Sequence, residues 1–231
     1  MSTYDLYVES GPRHRTTMVH VPALLGCVAV GPTTADALQT TPEVIAAFRR
    51  FQHRHGEIID PGVAFEVRVA EHKIEGLMHA LPTDMTPLSD DGVDDALTRV
   101  GWLNDELGSW AAALPPATLD ERPETGWAAR RILLHVLESQ GNYLESAFGS
   151  GPEIGPTHRR ARRGETQISV ALQESVALCR NHVALATTEQ RRGTRQLEWG
   201  SYTLHRALRR MNEHAWEHLV ELSRRPGGPE L

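Results

Sequence analysis

The sequence has 231 residues, of which 40% are hydrophobic and 23% charged, a composition that is typical of a globular chain with a buried core and excludes a disordered protein. Its length suits one large domain or two small ones. The formal net charge of −6 argues against a general nucleic-acid-binding surface, which normally shows a basic excess.

The cysteines and the hydropathy indicate the cellular compartment. Cys27 and Cys179 are isolated and lack Cys-x-x-Cys spacing, which argues against a disulfide framework and a cysteine zinc knuckle. The first residues contain no basic region followed by an apolar run, and no apolar stretch approaches the roughly 20 residues of a membrane span. We therefore expect a cytoplasmic protein that does not enter a membrane.

The chain opens with a pattern typical of β-strands. Residues 4–9 and 16–21 alternate apolar with polar side chains on either side of the turn-forming Gly11-Pro12, which predicts a β-hairpin. After breaks at Pro22 and Gly26, the apolar pattern resumes over residues 27–30. The two alternating segments predict two strands of a small sheet.

A helix and a further strand follow. Near-helical spacing of apolar residues predicts a helix from about 35 to 53, with Thr33 or Thr34 as its N-cap. Pro42 predicts a kink in it or a division into two short helices. Alternation over residues 64–74 predicts another strand of the same sheet.

This order of elements, ββαβ, is similar to the HicB-like family of antitoxins. The resemblance is carried by Val21-Pro-Ala-Leu-Leu-Gly-Cys27 followed by Gly31-Pro-Thr-Thr-Ala-Asp-Ala-Leu38. It implies a small HicB-like domain over residues 1–82, either a structural appendage or a partner-binding module. In that family a DNA-binding segment normally follows, whereas here residues 81–92 have the composition of a linker. We therefore expect no specific DNA binding.

The rest of the chain, residues 83–231, predicts an all-helical domain. Four stretches carry apolar residues at helical spacing and are bounded by prolines, glycines or capping residues, which is typical of a four-helix bundle. They are residues 93–114, 126–148, 165–189 and 201–224. The predicted fold class is therefore α+β, with the small sheet domain preceding the bundle.

Histidines at helical spacing predict a metal site in this bundle. His214 and His218 are four residues apart on the last helix and so lie on one face. His135 interrupts a strongly apolar helix, where an imidazole needs a partner. Three protein ligands and one open position are typical of catalytic metal sites. The alternative is that His214 and His218 are solvated and His135 is a hydrogen-bonded core residue.

The helical positions of the acidic residues near these histidines predict which of them face the site. Glu138 follows His135 by three residues and either orients a ring and moves a proton, or is a solvated glutamate. Glu213 and Glu217 lie about 100° from the histidine face and are expected at the surface. The spacing is not His-Glu-x-x-His, which excludes a zinc-protease motif.

Other charged or titratable residues are expected to lie outside the site. His53 and His55 are expected to be exposed at a helix C-terminus, and His182 is a weaker fourth candidate ligand that more simply belongs to the core or surface. The basic run Arg159-Arg-Ala-Arg-Arg163 is expected in a solvated loop, with an anion contact as the alternative.

Trp127 eight residues before His135, together with His214-x-x-x-His218, resembles the DinB-like family and its thiol-dependent relatives. This resemblance implies a four-helix bundle in which His135, His214 and His218 bind one divalent metal. It also implies a homodimer through the bundle. Imidazole ligands suit zinc, nickel or iron.

Two functions follow as hypotheses. The first is a metal-dependent thiol S-transferase or hydrolase that acts on a small molecule, possible because three neutral imidazoles leave the ion its full charge. The second is a non-catalytic binding protein that holds a partner on the HicB-like domain, with the bundle as a dimerisation platform.

Overall fold

The computed structural model describes residues 2–11, 16–74 and 80–231. It has the predicted α+β class, because a small sheet with one helix precedes a helical bundle. In the described residues, no helix is long and apolar enough to cross a membrane.

The N-terminal part is a four-stranded sheet of order β3-β2-β1-β4. β1 pairs antiparallel with β2 and parallel with β4, and β2 pairs antiparallel with β3. The strands are β1 (Ser2–Glu9), β2 (Thr17–His20), β3 (Val28–Gly31) and β4 (Phe65–Lys73).

The predicted ββαβ order is therefore one strand short, since β3 joins the sheet before the helix. A tight turn makes this possible. The Leu24 N–H donates to the Val21 carbonyl at 2.8 Å, and the Val21 N–H donates to the Cys27 carbonyl at 3.1 Å. The apolar run over residues 27–30 marks this strand in the sequence, although four residues are too few for a clear period.

Helix α1 (Thr34–Arg54) follows β3 and begins at the predicted cap, where Thr33 accepts a hydrogen bond from the Asp36 N–H. It continues as one helix through Pro42, so the division into two helices does not occur. The burial of one face of the helix offsets the loss of the backbone hydrogen bond that proline cannot donate. That face includes Ile45, Phe48 and Phe51, all fully buried.

The helical part begins after a short 3₁₀ helix, Pro82–Met85. Its four long helices are α2 (Asp90–Ala113), α4 (Ala129–Phe148), α6 (Ile168–Leu185) and α8 (Leu204–Ser223), as the periodicity predicts. Shorter elements connect them: α3 (Pro116–Asp120), α5 (Ile154–Arg162), α7 (Thr188–Arg192) and the hairpin β5 (Arg195–Leu197) with β6 (Gly200–Tyr202).

The basic run from Arg159 to Arg163 lies on and just after α5, so the predicted loop is wrong. Ile154, Thr157 and Ala161 recur at helical spacing and are buried, whereas the arginine side chains face outward. The apolar anchors of this short helix are spaced too far apart, among prolines and glycines, to stand out in the sequence.

Helix α8 also joins the bundle to the sheet part. The ring of Trp216 is fully buried and lies 4.9 Å from that of Phe48 and 5.7 Å from that of Phe51, between centroids. The predicted domain boundary at 82/83 falls within the 3₁₀ helix. Independent folding of residues 1–82 and 83–231 stays a prediction.

Candidate metal centre

The three predicted histidines come together where α4 faces α8. His135 projects from α4, and His214 and His218 project from successive turns of α8. One ring nitrogen from each lies within 4.8 Å of the others, and the Nε2 atoms of His135 and His214 are 3.0 Å apart. The three imidazole rings also contact one another pairwise, with ring centroids 4.6 to 5.5 Å apart.

This nitrogen cluster fits one small divalent ion. Zinc binds imidazole nitrogen at about 2.0–2.1 Å, so tetrahedral ligands lie about 3.4 Å from one another. The separation of 3.0 Å between the Nε2 atoms of His135 and His214 is close to that value. Small side-chain rotations would bring the three nitrogens to equal spacing, and the donor set itself suits zinc, nickel or iron.

Burial favours the neutral form of His135 and His214, which is the form that binds metals. Burial and the neighbouring His218 and His135 hold the pKa of His214 well below its ordinary value of 6.5. The pKa of His135 is lowered as well, first by burial and then by His218, although the Glu138 carboxylate opposes the shift. Both rings are thus available as ligands at neutral pH.

A chain of hydrogen bonds fixes the orientation of His218. Its Nδ1 donates to Glu221 Oε2 at 2.8 Å, and Arg225 donates to Glu221 Oε1 at 2.6 Å. Arg225 in turn donates to the Trp127 carbonyl at 2.9 Å, which ties this end of α8 to the loop just before α4. Glu221 was not predicted as part of the site, although its spacing of three from His218 and four from Arg225 is the signal of helical side-chain pairs.

Burial alone would raise the pKa of Glu221, but the hydrogen bonds and charges of His218 and Arg225 outweigh burial and lower it. Glu221 is therefore an ionised acceptor at neutral pH. A carboxylate that accepts from the outer nitrogen of a ligating histidine fixes the tautomer and turns the other nitrogen toward the metal.

Aromatic side chains enclose the cluster. The Trp127 ring lies 5.2 Å from the His135 ring, with the Arg131 guanidinium 4.0 Å over its other side. The Tyr143 ring lies 5.9 Å from that of His214. These rings contact two of the three imidazoles, and Trp127 itself is 38% exposed.

Glu138 is exposed on α4 and, within the part of the chain that the structure describes, makes no hydrogen bond to the three histidines. It does contribute to the electrostatics of His135. A catalytic role for Glu138 stays a prediction.

The other histidines that the sequence analysis considered, His53, His55 and His182, lie outside the cluster. His182 donates to the Ser150 carbonyl at 2.9 Å, away from the three ligands. His53 is exposed as predicted, but His55 is partly buried, where it binds Glu106 at 2.9 Å and stacks on Trp102.

Glu213 contradicts the expectation of a surface residue, because it is 1% exposed. Its carboxylate accepts from Arg209 at 2.7 Å and Arg210 at 2.7 Å, and it pairs with His20 of β2 at 2.9 Å. Arg209 also binds Asp84 through two hydrogen bonds of 2.7 and 2.8 Å. Glu213 does lie on a different side of α8 from the histidines, as its spacing predicts. That side packs against the sheet and not against solvent.

A groove lies between the sheet and α8, and Glu221 links it to His218. Its volume is about 330 Å³, and Glu221 forms part of its wall. The sheet contributes an apolar wall and α8 a largely charged one. The lining residues are Thr16, Val28, Val30, Gly31, Pro32, Glu217, Val220, Glu221 and Arg224.

The sequence profile of the DinB superfamily matches residues 101–222, slightly more than half of the chain. The chain belongs to the DinB superfamily. All three clustered histidines of this DinB-superfamily chain lie within the matched range.

Among solved structures, YfiT from Bacillus subtilis is similar, with 18% sequence identity and a TM-score of 0.45 over 63% of this chain and 93% of that one. YfiT is described as "a probable metal-dependent hydrolase with an unusual four-helix bundle topology". No curated protein matches the chain.

Proposed function

We propose that this member of the DinB superfamily is a metal-dependent enzyme in which His135, His214 and His218 bind one divalent transition metal. The supporting observation is the convergence of three ring nitrogens within 4.8 Å, from two helices whose His135 and His214 are 79 residues apart in sequence. The pKa values of His135 and His214 are lowered, so these two rings can bind an ion without first releasing a proton.

The reaction that we propose is thiol S-transfer or hydrolysis of a small molecule. When bound, a divalent ion held by neutral imidazoles lowers the pKa of a coordinated water or thiol toward neutrality. Glu221 orients His218, and the rings of Trp127 and Tyr143 contact the other two imidazoles. Glu138 is the exposed carboxylate next to this site that could accept a proton from the substrate.

The groove between β3 and α8 is our candidate for the substrate site, because Glu221 both lines it and binds His218. Apolar side chains on the sheet side and carboxylates on the helix side suit a small molecule with an apolar body and a polar end. We rank thiol transfer above hydrolysis as the proposed reaction only because of the family resemblance.

The second candidate function is a binding protein without catalysis. Its support is the sequence resemblance of residues 21–38 to HicB-like antitoxins, which would make residues 1–82 a partner-binding domain and residues 83–231 a dimerisation platform. The acidic balance of the sequence supports a partner other than DNA. A cytoplasmic location is part of both proposals.

Elemental analysis tests whether the protein binds a metal ion at this site. Protein purified without a histidine tag should contain about one divalent ion per chain, and His214→Ala should lose most of it because two imidazoles seldom hold a divalent ion. His182→Ala is the matched control, since this histidine lies outside the cluster, and it should keep the metal. Equal metal content in the parent and in the triple alanine variant would refute the site.

Activity then separates the two functions. The metal-loaded protein is supplied with low-molecular-weight thiols and a model electrophile, and separately with activated esters. Turnover in the parent and in His182→Ala, but not in His214→Ala, is expected. A metal-loaded parent without turnover in either assay would support the binding protein.

A further inference from the structure

Strand β4 is an edge of the sheet that exposes apolar side chains. It pairs with β1 on one side and is last in the strand order. Val67 is 37% exposed and Val69 is 46% exposed, whereas Leu6 and Val8 of the adjacent β1 are buried. Helix α1 packs mainly on β2 and β3 and reaches β4 at Phe65, which lies under Arg49, so that in the described part of the chain Val67 and Val69 stay exposed. Long, exposed edge strands of this kind readily pair with a further strand.

The charges of β4 occupy a single face because of a β-bulge. The register runs from Leu6 opposite Val69 to Tyr7 opposite Glu71, so Ala70 is an extra residue that shifts the alternation. As a result, four charged residues lie on the face opposite to that of Leu6. They are Glu66, Arg68, Glu71 and Lys73.

This order of charges is self-complementary when the strand is reversed. With a two-fold axis beside Val69, the last regular residue before the extra Ala70, Glu66 lies opposite the partner's Lys73, and Arg68 lies opposite the partner's Glu71. Each pair occurs twice, and directly opposite charges of unlike sign stabilise antiparallel strands. A parallel pairing in the same register would place like charges side by side.

We propose that β4 pairs antiparallel with β4 of a second copy of this chain, so that two sheets join into one. Among the described residues Glu66 makes no ion pair within the chain, and Arg68 and Glu71 are paired only at the surface, with Asp5 at 2.7 Å and Lys73 at 3.3 Å. Dimerisation would join these pairs into an alternating network across the axis. The contact lies on the sheet, whereas the family resemblance predicted a dimer through the bundle.

The free backbone groups of the edge provide affinity, and the charges determine the register. Exposed ion pairs contribute little one at a time, but the symmetry doubles the effect of every substitution. Reversing Glu66 alone replaces two attractive contacts by two repulsive ones, and reversing Lys73 alone does the same. The double reversal restores unlike charges at both positions.

The test is sedimentation equilibrium of the full chain at low salt, for the parent and three variants: Glu66→Lys, Lys73→Glu and the double variant. We expect a parent dimer, a dissociation constant raised about tenfold in each single variant, and recovery to within about threefold of the parent in the double variant. Glu198→Lys, an exposed reversal on the β5–β6 hairpin, is the control and should dimerise like the parent.

Circular dichroism of each variant establishes that it is folded, which these exposed positions should permit. A parent that is monomeric at 100 times the lowest concentration used would overturn the proposal. So would single reversals that dimerise like Glu198→Lys, because the charges would then lie outside the contact. Two weakened single variants without recovery in the double variant would overturn the antiparallel register.

Discussion

His218 Nδ1 donates a hydrogen bond to Glu221 Oε2 over 2.8 Å, one helical turn away on α8. Because that nitrogen carries the proton, Nε2 of His218 has a free lone pair for a metal. Arg225 holds the other oxygen of the same carboxylate. The geometry of the metal site therefore depends on a residue that does not touch the metal.

Replacing Glu221 with alanine should weaken metal binding by about 10- to 100-fold, the usual effect of removing a carboxylate behind a histidine ligand. Glu221→Gln should have a smaller effect, because its amide oxygen still accepts from Nδ1. The measurement is competition with a chelator of known affinity at constant pH. Glu217→Ala is the control on the same helix, and equal affinities for Glu221→Ala and Glu217→Ala would contradict the positioning role.

The buried pair of His20 and Glu213 predicts a pH dependence of stability. Burial alone would lower the pKa of His20, but the carboxylates of Glu213 and Glu9 outweigh it and raise the pKa. The protonated ring therefore stabilises the fold fully below the unfolded pKa of about 6.5. This contribution is lost as the pH rises through the higher pKa of the folded state.

His20→Gln should accordingly lower the free energy of unfolding by about 3 to 5 kcal/mol at pH 6 and by less at pH 9. The measurement is urea unfolding of metal-free protein at both pH values, which removes any contribution from metal binding. His158→Gln, outside the network, is the control. A difference between parent and His20→Gln that is the same at pH 6 and pH 9 would show that His20 is neutral in the folded protein.

Gly26 lies where the turn before β3 meets α8. Its φ is +103°, and a Cβ atom there would lie 2.7 Å from the Cβ of Asn212. Asn212 cannot move freely, because its amide donates to the carbonyls of Ala96 and Leu208. Gly26→Ala should therefore destabilise the protein by about 2 to 5 kcal/mol, from backbone strain and overpacking together.

Thermal unfolding compares this variant with Gly101→Ala, in the middle of α2. A Cβ atom at Gly101 would meet its nearest neighbour, a methyl group of Val176, at an ordinary 3.8 Å. That control should be neutral or stabilising by up to about 1 kcal/mol, because alanine is the better helix former. Equal melting temperatures for the two variants would contradict the close contact between Gly26 and Asn212.

The ligand histidines could be predicted because helical periodicity alone places His214 beside His218, and because His135 interrupts an apolar face. The sequence did not indicate what surrounds α8. Its Arg209 and Glu213 have the charges of a solvated face, yet they are buried because charges from β2 and the 3₁₀ helix complement them. Such pairing joins residues that are 125 or more positions apart, which no local pattern reveals.

The small elements were missed for a different reason. Strand β3 and helix α5 contain four and nine residues, too few for a periodic pattern to exceed chance. Their presence depends on tertiary contacts: β3 has β2 as a neighbour, and α5 buries Ile154 and Ala161 against the bundle.

The last prediction concerns the source of any thiol in the reaction. Cys27 and Cys179 are both fully buried, and burial raises the pKa of Cys179 to about 12 and that of Cys27 well above its ordinary value. Because the thiolate is the nucleophile, neither side chain should react at neutral pH. A disulfide reagent that releases a coloured thiolate should titrate no thiols in the native protein and both after unfolding.

It follows that thiol transfer would require an added small thiol, since the chain offers no reactive thiol of its own. A variant with both cysteines replaced by alanine is destabilised by the cavities it creates, so Cys179→Ala alone is the better test. Its thiol-dependent turnover should equal that of the parent at a temperature where both are folded. Rapid labelling of the native parent, or turnover without added thiol that disappears in Cys179→Ala, would instead make a buried cysteine the nucleophile.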